Sequence, residues 1–185
     1  RPLPEALRAQ EMLDTLDARK DVDGMTTASL GALVTGAAGF APCTAEACME
    51  LLRAHGIDPA GRRVTVVGRS LVIGRPAALL LTRADATVTL CHRKTPDLAA
   101  RCRDADILLA AAGAPGLITT DFVRPGQIVL DAGATALPDG TLRGDVAPDA
   151  AAIAVCTPVP GGIGSVTTAL LLRHTVQAAE NLRHF

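Results

Sequence analysis

Residues 63–76 read Arg63-Val64-Thr65-Val66-Val67-Gly68-Arg69-Ser70-Leu71-Val72-Ile73-Gly74-Arg75-Pro76. A short β-branched run, Val64 to Val67, meets a turn of small residues and then an apolar stretch of helical character. β-branched residues favour a strand, and strand, glycine turn, helix start is the order that presents backbone N–H groups to a phosphate. The stretch is not Gly-x-Gly-x-x-Gly, because Ser70 stands where the second glycine belongs and Gly74 comes one position late. A plain strand-to-helix turn suits the same residues, so the flanking pattern has to decide the fold.

Downstream, apolar runs recur at Thr87–Leu90, Ile107–Ala111, Ile128–Leu130 and Ile153–Val155, with helical stretches near Pro76–Thr82 and Pro96–Arg103. Five such strands joined by right-handed crossovers predict an α/β fold with a Rossmann-like, doubly wound, mainly parallel sheet. Ligands then belong at the carboxyl ends of the strands. Upstream, residues 4–17 place Leu7, Met12 and Leu16 near one helical face, and a polar loop follows from Asp17 to Gly24. A linking helix is expected from about Ala45 to His55, capped by Thr44 and stopped at Gly56. Val166 to Leu182 predicts a long terminal helix. No internal repeat or low-complexity linker interrupts the chain.

The composition agrees with α/β. Of 185 residues, 49% are hydrophobic and only 2% aromatic, a balance expected where strands are buried on both faces and small side chains let helices pack closely on them. A formal charge of -1 gives no broad attraction for nucleic acid or acidic membranes, so neither partner is expected. The cysteines, Cys43, Cys48, Cys91, Cys102 and Cys156, are odd in number and lack Cys-x-x-Cys spacing. That suggests neither a disulfide framework nor a zinc site, and no metal is expected. Reduced thiols fit a cytoplasmic protein, as does the lack of an apolar run of membrane-spanning length. The absent initiator Met implies a chain that is processed, cut or incompletely represented.

The end of the second strand bears on the cofactor. A dinucleotide without a 2′-phosphate usually meets an Asp or Glu about 20 residues after the glycine loop, bonding the ribose hydroxyls. Here the sequence is Leu90-Cys91-His92-Arg93-Lys94-Thr95. Donors in place of an acid favour NADP over NAD, although Arg93 and Lys94 also suit an ordinary solvated loop. Arg69, near the glycine loop, tips the reading to NADP.

Gly68-Arg69-Ser70-Leu71-Val72-Ile73-Gly74-Arg75-Pro76 resembles the NADP loop of the methylenetetrahydrofolate dehydrogenase/cyclohydrolase family. Other matching segments follow in the family's order: Pro2-Leu3-Pro4, Lys20 to Gly24, Pro42-Cys43-Thr44, Cys91 to Thr95, Ala105-Asp106-Ile107, Gly144-Asp145-Val146 and Thr157 to Gly164. The resemblance implies oxidation of 5,10-methylenetetrahydrofolate to the methenyl cation by hydride transfer to NADP, then hydrolysis to 10-formyltetrahydrofolate. It implies a homodimer with tetrahydrofolate derivatives as its ligands. Cofactor contacts fall at Gly68, Arg69, Ser70, Gly74, His92, Arg93, Thr95 and Gly113. Asp23 is implied to position the pterin ring, with Pro160, Gly161, Gly162 and Thr167 as further substrate contacts. A carboxylate suits the pterin because it accepts two parallel N–H bonds. On the residues alone, Asp21 and Asp23 equally suit the organisation of a turn, and Thr157–Gly164 equally suits a helix-entry loop. His55, His174 and His184 read as surface or packing residues.

The resemblance divides the chain into residues 1–40, a remnant of an N-terminal α/β catalytic domain; 41–160, the NADP-binding domain; and 161–185, a glycine loop and a helix returning to the first segment. The family's Tyr-x-x-x-Lys motif and its helper glutamine lie upstream of Arg1, and the only lysines here are Lys20 and Lys94. Departures cluster on the folate side, at Met25-Thr26-Thr27, Ala45-Glu46-Ala47, Ala132-Gly133-Ala134-Thr135 and Ser165-Val166. They leave open an NADP-binding module without folate chemistry, or a dehydrogenase lacking the hydrolase. Residues 1–39 have little core of their own and the terminal helix suits packing on further structure, so exposed apolar surface and aggregation are expected of this chain alone.

Overall fold

The computed structural model describes residues 9–182. In chain order its helices and strands are α1 (Ala9–Leu13), α2 (Thr27–Thr35), α3 (Cys43–Ala54), β1 (Arg63–Val67), α4 (Gly74–Arg83), β2 (Thr87–Cys91) and α5 (Leu98–Asp104). There follow β3 (Ile107–Ala110), β4 (Ile128–Asp131), β5 (Thr135–Ala136), β6 (Leu142–Arg143), α6 (Pro148–Ile153), β7 (Val155–Cys156) and α7 (Ile163–Leu182).

Five strands form one parallel sheet in the order β2-β1-β3-β4-β7, with Val64 of β1 facing Val88 on one side and Ile107 on the other. The chain goes out from β1 to β2 and returns across β1 to β3. The carboxyl ends of β1 and β3 therefore flank the point where the winding reverses, the place where ligands bind in open α/β sheets. The fold is the α/β, Rossmann-like parallel arrangement expected from the strand pattern.

The pleat sorts the core into two layers. Val64 and Val66 of β1 with Ile107 and Leu109 of β3 face Leu52 of α3, Leu81 of α4 and Leu170 of α7. Val67, Leu108, Ala110 and Val129 point the other way, toward Cys102 of α5 and Ala150 of α6. Fully burying a side chain such as Leu108 contributes about 1.5–3 kcal/mol, and both layers depend on the mainly apolar runs of β1, β3 and β4.

Several boundaries differ from expectation. Helix α1 ends at Leu13, and Met12 and Leu16 are exposed rather than sharing a buried face; Leu7, Pro2-Leu3-Pro4 and His184 lie outside the described residues. Helix α3 begins at Cys43, so Thr44 sits within its first turn and caps nothing. Pro42 is the cap residue and contributes no side-chain bond. The last strand starts at Val155, because Pro148 opens a helix that takes up Ile153. Helix α2 was not anticipated; the Thr26 hydroxyl caps it by accepting the Ser29 N–H at 3.1 Å. Nor was the antiparallel hairpin of β5 and β6.

Candidate functional site

The turn after β1 is shaped by backbone contact. Gly68 has φ +118°, its N–H bonds the Cys91 carbonyl at 2.9 Å, and a Cβ there would collide with the Ala111 carbonyl. Gly74 opens α4 so close to Gly68 that a Cβ would strike the Gly68 carbonyl. Both glycines are required because three chain segments, the ends of β1, β2 and β3, converge on this turn. Within it Ser70 Oγ accepts the Ile73 N–H at 3.1 Å, leaving the hydroxyl proton to donate.

The segment after β2 lies directly alongside. His92 and Thr95 close a tight turn, with Thr95 Oγ1 accepting the His92 N–H at 2.9 Å and His92 Nδ1 accepting the Lys94 N–H at 3.2 Å. Arg93 and Lys94 at its tip are exposed, as is Arg69 across the Gly68–Cys91 contact. Guanidinium and ammonium donors thus collect at the rim where β1 and β2 end.

A cavity of about 460 Å³ opens at the carboxyl ends of β4 and β7, lined by Ile73, Asp131 and the loop Pro158–Gly164, with Thr44 and Thr167 on its helical wall. Pro160, Gly161, Gly162 and Thr167 are therefore brought together, with Ile73 reaching in from the β1 turn. Asp23, Arg69 and Arg93 do not line it. The Val159–Pro160 bond is cis. The Thr167 hydroxyl donates to the Ile163 carbonyl at 2.9 Å, within its own helix.

Asp23 and Asp21 separate in role. Asp21 is buried, and its carboxylate accepts the N–H groups of Met25 and Thr26 at 3.0 and 2.7 Å. Burial alone would raise its carboxyl, but bonds from Ser29, Thr26 and Met25 outweigh that and hold it below the usual range. Asp21 is the turn organiser. Asp23 is exposed, and its carboxylate accepts the Cys43 N–H at the start of α3 over a long 3.4 Å.

Gly113 follows β3, and its N–H donates to the Asp145 carboxylate at 3.0 Å, so this amide is already occupied. Asp145 and Asp131 were not singled out as site residues. Their signal is an acid at the end of a buried apolar strand, Asp131, and another between Gly144 and Val146, both needing backbone donors to remain inside.

A family model describing the NAD(P)-binding domain of tetrahydrofolate dehydrogenase/cyclohydrolase matches residues 42–183. The chain belongs to the tetrahydrofolate dehydrogenase/cyclohydrolase family. It is 55% identical over 182 residues to bifunctional protein FolD 1 of Rhodococcus jostii (strain RHA1), an alignment covering 96% of this chain and 61% of that relative. Bifunctional FolD methylenetetrahydrofolate dehydrogenase/cyclohydrolase from Campylobacter jejuni matches with a TM-score of 0.92 at 41% identity, over 98% of this chain and 65% of that one. FolD from Trypanosoma brucei, solved with NADP cofactor and an inhibitor, gives 0.91 at 38%, over 100% of this chain and 66% of its own. The chain spans less than two thirds of the length of the curated relatives it matches first.

In this member of the tetrahydrofolate dehydrogenase/cyclohydrolase family, the Gly68–Gly74 turn and the Gly113 loop both fall within the matched region, and Asp23 precedes it. Among the described residues no group of three or more His, Cys, Asp and Glu could hold a metal ion, and no helix is long and apolar enough to cross a membrane.

Proposed function

We propose that this chain is the NADP-binding part of an enzyme that oxidises 5,10-methylenetetrahydrofolate to 5,10-methenyltetrahydrofolate and hydrolyses it to 10-formyltetrahydrofolate. The observation that carries this is the Gly68–Cys91 contact, which sets a glycine-lined turn at the start of α4 beside the exposed Arg69 and Arg93. A turn of small residues at a helix N-terminus suits a pyrophosphate, and exposed guanidinium groups at its rim suit a 2′-phosphate. The residues fit NADP.

The Gly68–Gly74 loop would lie along the phosphates, and Arg69, Ser70 and Arg93, with His92 and Thr95, would hold the 2′-phosphate end, while Gly113 would border the cofactor on a loop held by its bond to Asp145. NADP, when bound, supplies the hydride acceptor. Asp23 would anchor the pterin, and Pro160, Gly161, Gly162 and Thr167 would hold the folate against the cofactor. Rate enhancement in the oxidation then comes from orientation more than from a base on this chain. Lys20 and Lys94 are exposed and neither lines the cavity, so neither is placed to serve the hydrolysis.

We read residues 1–40, 41–160 and 161–185 as a folate-domain segment, the NADP domain and a returning helix. The packing of α7 on the turn Ala18–Lys20 supports a helix that returns to the first segment, while its packing on α3 ties it to the NADP domain as well. The exposed Val155 on β7, an edge strand of the sheet, suits a homodimer contact, and five cysteines without a disulfide suit the cytoplasm.

Replacing Arg93 by Ser is expected to weaken NADP about 10- to 100-fold, the loss of a charge-assisted hydrogen bond, with NAD affinity unchanged. Equal weakening of both removes Arg93 from the 2′-phosphate. The commitment of the Thr167 hydroxyl to Ile163 favours a second reading, an NADP-binding module without folate chemistry. Calorimetry on the natural protein separates them: NADP binding without binding of a tetrahydrofolate derivative selects the module.

A further inference from the structure

His174 lies on α7, and only 3% of it is exposed. Its Nδ1 is 2.9 Å from the Val22 carbonyl, and its Nε2 is 3.1 Å from Glu46 Oε2 on α3. A carbonyl only accepts, so Nδ1 carries a proton and donates to Val22. The other Glu46 oxygen takes Arg173 at 2.6 Å, and Phe40 covers the ring with centroids 4.7 Å apart. Cys43 Sγ, 3.5 Å from Nδ1, donates to the same Val22 carbonyl at 3.4 Å.

These contacts surround one residue. Val22 immediately precedes Asp23, and Cys43, the second donor to Val22, also supplies the N–H that meets the Asp23 carboxylate. The loop carrying Asp23 is otherwise tied down through Asp21, on the α2 side. We propose that His174 is a positioning residue for Asp23: its Nδ1–H bond to Val22 fixes the direction in which the Asp23 carboxylate faces folate. A small carboxylate–pterin contact is sensitive to such direction, because two parallel hydrogen bonds need both oxygens in register. The proposal rests on the reading of Asp23 as the folate-holding carboxylate.

The test compares two polar substitutions in the full natural protein. Asn places its amide where Nδ1 stands and retains a donor for Val22; Gln reaches toward Glu46 and leaves Val22 unbonded. His174→Gln is expected to raise the KM for methylenetetrahydrofolate about tenfold with kcat and the NADP KM little changed, as loss of uniform binding requires. His174→Asn is expected to keep the folate KM within about threefold, as is Glu46→Gln, which spares the bond to Val22. A role in packing alone predicts no preference for Asn over Gln. Equal effects of Asn and Gln, a tenfold rise in Glu46→Gln, or an NADP KM that moves with the folate KM overturns the proposal. Asp23→Ala serves as the reference. If it leaves the folate KM unchanged, Asp23 does not hold folate and the proposal falls with that reading. If it raises the folate KM while His174→Gln does not, only the role of His174 falls.

Discussion

The carboxylate of Asp131 accepts the backbone N–H of Asp145 at 3.0 Å, and the carboxylate of Asp145 in turn gathers the N–H groups of Ala112, Gly113 and Ala114 at 2.6, 3.0 and 2.7 Å. Asp131 also accepts Gly133 and Val146, and its own N–H donates to Thr157 Oγ1 at 2.8 Å. Two buried acids thereby make the loops after β3, β4 and β7 a single unit. A ligand crossing the sheet's carboxyl edge meets a wall whose shape these acids set.

Removing the second acid is the direct check on that unit. Asp145→Ala leaves three amides without an acceptor; Ala112 and Gly113 are exposed enough for water to replace theirs, while Ala114 is half-buried. The expected cost is about 2–3 kcal/mol in urea unfolding, with weakened NADP binding as the Gly113 loop loosens. A cost below about 0.5 kcal/mol would mean that solvent already serves these amides.

Asp21 and Asp131 should oppose one another as pH changes. Burial pushes Asp131 above the usual carboxylate range; the amides of Val146, Asp145 and Gly133 oppose the rise, and the Asp145 carboxylate adds to it. A raised folded-state value means the folded protein binds the proton more tightly, so this contribution is fullest at low pH and is lost as pH rises through the raised value. Asp21 is held below its usual range, so its contribution is present at neutral pH and is lost as pH falls through the lowered value. Between about pH 3 and pH 7, the stability advantage of the natural protein over Asp21→Asn should grow with pH, and its advantage over Asp131→Asn should shrink. Parallel curves for the two variants would refute the assignment.

At the β1 turn the test is steric. Gly68→Ala forces a Cβ against the Ala111 carbonyl at a φ that L-residues avoid, and is expected to cost about 1–3 kcal/mol while abolishing measurable NADP binding. Gly56→Ala, with φ +66° but open space around it, controls for backbone strain alone. If both variants bind NADP equally well, the convergence of β1, β2 and β3 on Gly68 does not shape the cofactor site.

How much of this was legible follows from what kind of force selects each residue. The strands β1, β3 and β4 are buried on both faces, so their apolar runs stand out in the sequence. The Gly68 turn is legible because crowded backbone excludes every side chain. Helix α2 is not, since Thr27-Ala28-Ser29-Leu30-Gly31 holds few strong helix formers; its cap Thr26 was the available signal. Thr44 misled because a threonine before an apolar run looks the same whether it caps the helix or sits in its first turn. Gln127, which bonds the Cys102 and Ala105 carbonyls at 2.8 Å each, and the Asp131–Asp145 pair work through backbone groups distant in sequence, and such contacts leave no periodic trace.

The thiols offer the last check, on the core itself. Burial pushes Cys48 and Cys102 up to about 12; burial, then the nearby Asp23 and Glu46 carboxylates, does the same to Cys43; and burial with Asp131 takes Cys156 to about 11. The thiolate is the reactive form, so at about pH 7 these four should be nearly inert toward an alkylating reagent while the fold holds. Cys156, the only one of the five that is not fully buried, sits on the short edge strand β7 and should react first, through local opening. Cys43, Cys48 and Cys102 should follow only at the rate of wider unfolding, and urea below the transition should accelerate Cys156 alone. Rapid modification of Cys43 in the native protein would show that the α3–α7 contact around His174 opens on its own, and would remove the rigid backing that the direction of Asp23 depends on.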